Sequence, residues 1–458
     1  MRFEAIEFPT DSYRLTRARI PSGLVETDSP GQATDGCLLL DVLIRNGRFA
    51  AFLPVGALVD ATLPVIDLAG RQLWPGLVDA HVHLDKCQSF GRLEGADGTF
   101  AGARDATDTD RRAYWTAEDL YARMSFGLRC AHAHGVVATR SHIDSPESQA
   151  DISWSVVRQL REEWRGRVEL QAVAFVPLDV YGTPFGARLA EIAAKSGCGV
   201  LGAVTRPTGG LHGMALENFD RLLDTLFGLA KRHGLDLDLH VDETHDVNAR
   251  ALERVADASL RNAFEGRVTC GHCCSLALQE PDRMAAIIDK VRQAGIAIIT
   301  LPLVNMYLQD RDPGRTPRWR GVPPVAELRT AGVAVAVAGD NCRDAFYAYG
   351  DHDLFDTLRL GVRILQLDNP VGDAPTLVTG VPAGIMGLKD YGILRAGQSA
   401  DFILFNARSL NELLTRPQSD RILVRAGRRI RPRLPDYDEL DRLGSELADR
   451  PLAMETAL

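Results

Sequence analysis

Four separated places in this chain carry side chains suited to binding a transition metal. They are His81-Val82-His83, His240-Val241-Asp242-Glu243, His272 and Asp340. In a strand, residues i and i+2 point the same way, so His81 and His83 project together if an extended segment carries them. His240 and His272 then enter from the far side, and Asp340 closes the set. Three or four neutral imidazoles with one carboxylate suit a divalent ion such as zinc or iron. A lone histidine is more often a hydrogen-bonded core or surface group, and His142, His212, His233, His245 and His352 are read that way. The run Cys270-Gly271-His272-Cys273-Cys274 lacks the second cysteine pair of a structural zinc knuckle, so its thiols are read as small buried hydrophobes. Lys86 is read as a structural partner of Asp85 or Asp144.

Those donors can meet only if the chain brings distant segments together. Eight apolar strand candidates occur at 77–85, 135–144, 168–176, 199–205, 235–243, 267–274, 295–304 and 332–340. Amphipathic helical segments such as NFDRLLDTLFGLAKRHG separate them. Eight alternating units of this kind predict a parallel (β/α)8 TIM barrel. No Gly-rich phosphate turn follows any strand, which argues against an open doubly wound sheet. In such a barrel the active site lies at the strands' C-terminal ends, and each member of the set falls there. The first seventy residues and the segments Tyr391–Phe405 and Arg421–Ile430 read instead as hairpins. The expected organisation is a small β-sandwich domain from residues 1–72 and 392–435, a barrel over 73–391, and a tail over 436–458 with a helix around Tyr437–Ala448.

Composition sets the outer limits. The 458 residues are 45% hydrophobic and 25% charged, ordinary for a globular protein, with a net charge of −9. No basic stripe is present to neutralise a phosphate backbone, so nucleic acid is not an expected partner. The longest apolar run, Ile296–Val304, is far short of the ~20 residues that span a bilayer. Eight cysteines without a disulfide spacing, and no signal-peptide core, lead to the expectation of a cytoplasmic protein with reduced thiols. The basic stretch Arg315–Arg320 is read as a solvated or subunit-contacting face, and a homo-oligomer is expected.

The stretch Trp74-Pro75-Gly76-Leu77-Val78-Asp79-Ala80-His81-Val82-His83-Leu84-Asp85, with Tyr391–Asp401, resembles the amidohydrolase superfamily, and within it bacterial cytosine deaminase. Arg140–Asp144, Leu239–Glu243, Val268–His272, Pro302–Asn305 and Gly339–Asn341 extend the likeness over about Leu63 to Ile430. The resemblance implies one divalent ion, zinc or iron with manganese admissible, on His81, His83, His240 and Asp340. It implies that Glu243 is the general acid/base, that His272 steadies the attacking oxygen, and that Asp340 takes the water's proton. A divalent ion lowers the pKa of bound water from 15.7 to about 7, which suits attack on an amidine-like ring carbon and release of ammonia.

Three positions depart from the cytosine deaminase pattern, among them Phe346, which stands where the family has a tryptophan. Pro177 stands where a glutamine amide would read the pyrimidine edge, and Asn341 where an aspartate follows the metal-binding one. Recognition is therefore assigned to Arg206, Asn305, Asn341, Asp344 and Phe346. The expected function is mononuclear hydrolytic deamination of cytosine or a related amino-pyrimidine or amino-heterocycle. The alternatives are release of an alkylamine from an aminotriazine, as in relatives resembling isopropylammelide amidohydrolase, and opening of a cyclic amide. The latter is disfavoured because the fourth strand ends in Gly202-Ala203-Val204-Thr205-Arg206, without the lysine that bridges two metals in relatives resembling dihydroorotase.

Overall fold

All eight apolar segments form strands in the computed structural model, which describes residues 3–8, 10–29, 32–58 and 62–441. They are β1 (Leu77–Val82), β2 (Val136–Asp144), β3 (Glu169–Phe175), β4 (Gly199–Val204), β5 (Leu237–Val241), β6 (Val268–His272), β7 (Ala297–Thr300) and β8 (Val335–Val337). They pair in parallel and in sequence order. A bridge between Val82 and Asp340 closes the ring, with the Asp340 amide donating to the His81 carbonyl at 2.8 Å. Every residue of β1 and β2 is buried, as expected where helices cover one face of a barrel and side chains fill its interior. The intervening helices bury one stripe each. In Phe219–His233 the stripe is Phe219, Leu222, Leu223, Leu226, Phe227 and Ala230, and the helix ends on left-handed Gly234 (φ 63°).

The two ends of the chain build one nine-stranded sheet among the described residues. Its hairpins follow from turn chemistry. Cys37–Arg45 returns as Arg48–Pro54 through Asn46-Gly47, both at positive φ (49° and 71°), the conformation of a two-residue type I′ turn. Phe402–Phe405 pairs antiparallel with Gln72–Pro75, which joins the late segment to the early one and carries the small sheet up to the start of β1. Buried Trp74 packs edge-on against Phe405 and Phe355, ring centroids 5.4 and 6.1 Å away, tying that sheet to the barrel helix Leu354–Ile364.

Of the expected C-terminal helix, Tyr437–Leu440 forms a short 3-10 turn opened by an Asp436–Glu439 capping box. The remainder, from 442 to 448, lies outside the described residues. No helix among them is long and apolar enough to cross a membrane. The basic loop beginning at Arg315 is answered by its own acids, since Arg315 pairs with Asp310 and Asp312 at 2.5 and 3.2 Å.

Candidate active site

Closing the barrel brings the separated donors to one point. His81 and His240 approach through their Nε2 atoms at 3.2 Å, as do His240 and His83. Asp340 Oδ1 lies 3.6 Å from His81 Nε2 and 3.4 Å from His83 Nε2. All four side chains are buried. One proton cannot satisfy His240 Nε2 toward two other nitrogens at once. Both Asp340 carboxylate oxygens also lack a hydrogen-bond partner among the described residues. Four of the separations among these donors thus lie between 3.2 and 3.6 Å, close enough for one divalent ion with nitrogen and oxygen ligands to be shared among them. Burial, reinforced by the neighbouring imidazoles, drives the pKa values of His81 and His240 well below the ordinary range and leaves their lone pairs free. These four residues could hold such an ion.

Strand ends aim the set through strained backbone. Asp242, His272 and Asp340 all take positive φ (48°, 68° and 64°), uncommon for residues other than glycine and frequent at functional sites. Asp242 turns away from the cluster and accepts from the amides of Ala251 and Leu252 at 3.1 and 2.9 Å, anchoring the turn that carries Glu243. Gly271 lets the His81 ring lie against β6, because a Cβ there would stand 2.8 Å from His81 Cε1.

Glu243 is buried beside the donors, with Oε1 3.3 Å from His272 Nδ1 and Oε2 3.8 Å from His212 Nε2. Burial and then the charge of Asp340 push its carboxyl well above the usual range, the direction that favours its taking up a proton. Asn305 donates its amide to His272 Nδ1 at 2.9 Å and to Glu243 Oε1 at 3.4 Å. With the Asn305 amide nitrogen as the donor, the His272 proton is assigned to Nε2, which has no partner among the described residues.

A cavity of about 380 Å³ opens from the cluster to the barrel mouth. Phe100, Phe175, Phe185 and Phe346 give it flat apolar walls, and Lys86, Arg104, Arg111 and Arg206 line it together with the acids Asp108, Asp144 and Glu147. Arg206, Asn341 and Phe346 thus stand where a substrate would touch them. Asn305 and Asp344 stand behind the wall, Asn305 on His272 and Asp344 on the Asn341 amide at 2.7 Å. Pro177 lines the cavity and offers it no N–H. Lys86 bridges Asp144 at 2.7 Å and His83 Nδ1 at 3.1 Å, so it is both a structural partner and a cavity wall.

Two histidines that sequence reasoning set aside belong to this site. His142, on β2, stacks on His81 with centroids 3.9 Å apart and shares Asp238 with Arg140, at 3.2 and 2.9 Å. With His81 and His83 it forms a triad whose donor atoms lie within 4.8 Å of one another, as do His81, His240 and His272. The tighter separations still favour His81, His83, His240 and Asp340 as the primary donors. His212, in the loop after β4, enters the cavity wall. The signal for His142 was its place on the strand beside β1, while nothing around His212 marked it.

A parallel barrel with imidazole and carboxylate donors at its C-terminal mouth, completed by a small sheet from both chain ends, defines a class of hydrolases. Residues 197–430 match the amidohydrolase family. The chain is 46% identical over 430 residues to a pterin deaminase from Rhizobium rhizogenes, covering 94% of this chain and 96% of that protein. It is 26% identical over 351 residues to the N-isopropylammelide isopropyl amidohydrolase of a Pseudomonas species, covering 75% and 82%. In structure it is similar to the 5-methylcytosine deaminase of Klebsiella pneumoniae with 5-fluorocytosine bound, with a TM-score of 0.76 at 23% identity, covering 92% and 98%. The chain belongs to the amidohydrolase family.

Proposed function

We propose that this protein is a metal-dependent hydrolytic deaminase whose substrate is a fused two-ring amino-heterocycle of the pterin type, from which it releases ammonia. The observation that carries this reading is the cavity. Its 380 Å³ and four phenylalanine walls accommodate a flat bicyclic ring beside Glu243 with room beyond it, and the 46% identical relative is a pterin deaminase. Pro177 in place of an amide removes the contact expected for cytosine.

His81, His83, His240 and Asp340 would hold one divalent ion, zinc or iron, which when bound acidifies a water molecule. This chain's own groups do the rest. Asp340 accepts a proton from the water, and His272 Nε2–H donates to the oxygen as it gains charge. Glu243 moves protons to the ring nitrogen and to the departing amine, and the phenylalanines hold the ring and exclude bulk water.

Ammonia release from a panel of amino-heterocycles, with protein of assayed metal content, tests the reading. Pterins are expected to turn over, with cytosine, 5-methylcytosine and aminotriazines at least tenfold slower in kcat/KM. Turnover of cytosine with pterins untouched would overturn the bicyclic assignment. Release of alkylamine alone would move the function to the aminotriazine class.

A further inference from the structure

We propose that His212 is a further substrate-contacting residue, which accepts a hydrogen bond from the departing amino group and turns that group's lone pair toward Glu243. This rests on the deaminase reading above and assigns a role within the same site.

The loop at residues 205–218 holds its histidine in an unusual way. The flanking apolar residues Leu211 and Met214 are 37% and 54% exposed, while His212 between them is only 7% exposed. A loop that merely covered the barrel would be arranged the other way round. The chain is fixed in this conformation at two points. Thr208 donates its amide and hydroxyl to Asp179, both at 2.9 Å, and Arg104 donates to the carbonyls of Gly209 and Gly210 at 2.7 and 3.1 Å. Left-handed Gly209 and Gly213 (φ 73° and 85°) allow the turn between them.

His212 lies in the cavity wall with its ring edge-on to Phe100, 5.6 Å between centroids. Neither of its ring nitrogens has a hydrogen-bond partner among the described residues. A buried polar group left in that state costs about 1–3 kcal/mol, so a partner supplied by a ligand is the natural account of it. Burial, and then the charge of Arg206, lowers its pKa to about 3. The ring is therefore neutral, with one donor and one acceptor.

The direction of the contact follows from Glu243. Its Oε1 faces His272 and Asn305, the side of the attacking oxygen, while its Oε2 faces His212 Nε2 across 3.8 Å. That gap is too long for a direct hydrogen bond, yet a single nitrogen can lie within reach of both atoms. When the tetrahedral carbon collapses, the water oxygen remains as the carbonyl and the C–N bond breaks with its electron pair on nitrogen. One of the water's protons ends on the ring nitrogen. The other, passed from Glu243 Oε2, converts the amino group to ammonia. His212 exchanges no proton and fixes the nitrogen that receives one.

The test compares His212→Phe and His212→Gln with wild type in metal content, kcat for ammonia release and Kd for the deaminated product, which lacks the amine. His212→Phe is expected to keep its metal and bind product within about twofold, with kcat lowered about tenfold to a hundredfold. His212→Gln, which keeps an acceptor, is expected to recover part of the rate. An unchanged kcat, product affinity lost in step with kcat, or a Gln variant no better than Phe would each overturn the role. Wild-type protein that releases no ammonia from any amino-heterocycle would overturn the deaminase reading itself, and this role with it, before any variant is compared.

Discussion

A buried carboxyl beside a carboxylate ligand is poised to carry protons, and Glu243 occupies that place. Glu243→Gln keeps the size and hydrogen bonds of the side chain but has no titratable proton. It is expected to retain its metal and to lose about 10²–10⁴ in kcat; more than a tenth of the wild-type rate would show that another group carries the proton. Asp340→Ala removes the one anionic donor from the cluster, and a metal assay is expected to find that variant depleted as well as inactive. Both residues were legible in the sequence because a histidine motif or a strand end stood beside them. His142 was not, because a lone histidine near a strand end looks like any core residue until its neighbour His81 is known to stand 3.9 Å away. Asn305 was legible as a polar residue near the site, yet only the packing shows that its amide reaches His272 and Glu243.

At the scale of elements, all eight barrel strands were readable because buried parallel strands are apolar runs set between polar turns and amphipathic helices. Their ends were less readable. His83 and Asp340 sit just beyond β1 and β8, where the backbone leaves regular pairing to aim a side chain, and no periodicity marks such a departure. Gly271 is the clearest case of an element shaping the site without a functional group of its own. A methyl group at this position would meet His81 at 2.8 Å from Cε1 and 3.1 Å from Nδ1, inside any normal contact. Gly271→Ala is therefore expected to displace the His81 ring and weaken metal binding at least tenfold, with the far-ultraviolet circular dichroism unchanged. Wild-type metal affinity in that variant would mean that β6 can shift away without disturbing the donors.

For the molecule as a whole, the joining of the two chain ends was legible from their shared hairpin pattern, whereas one of the links that lock them to the barrel was not. That link is Arg421, at the start of the strand Ile422–Arg425. Its guanidinium, 4% exposed, holds Asp353 at 2.9 and 2.6 Å and lies over the rings of Phe355 and Phe405. Asp353 in turn caps the helix Leu354–Ile364 by accepting from the amides of Phe355 and Asp356. One buried pair thus joins the terminal sheet to the helix that follows β8 and Asp340. Removing the guanidinium leaves Asp353, 14% exposed, with its two cap amides and His134 at 3.4 Å, so the cost falls below the about 3–5 kcal/mol of breaking a fully buried pair. Arg421→Ala is expected to lower the apparent Tm and to separate a single calorimetric transition into two, with the small sheet melting first. Asp353→Ala also loses the helix cap, and should destabilise the barrel side as well. Adding the Arg421 change to it should cost less than the sum of the two, because the pair is already broken. Full additivity in that double variant would show that the two side chains stabilise the molecule independently and not as a pair.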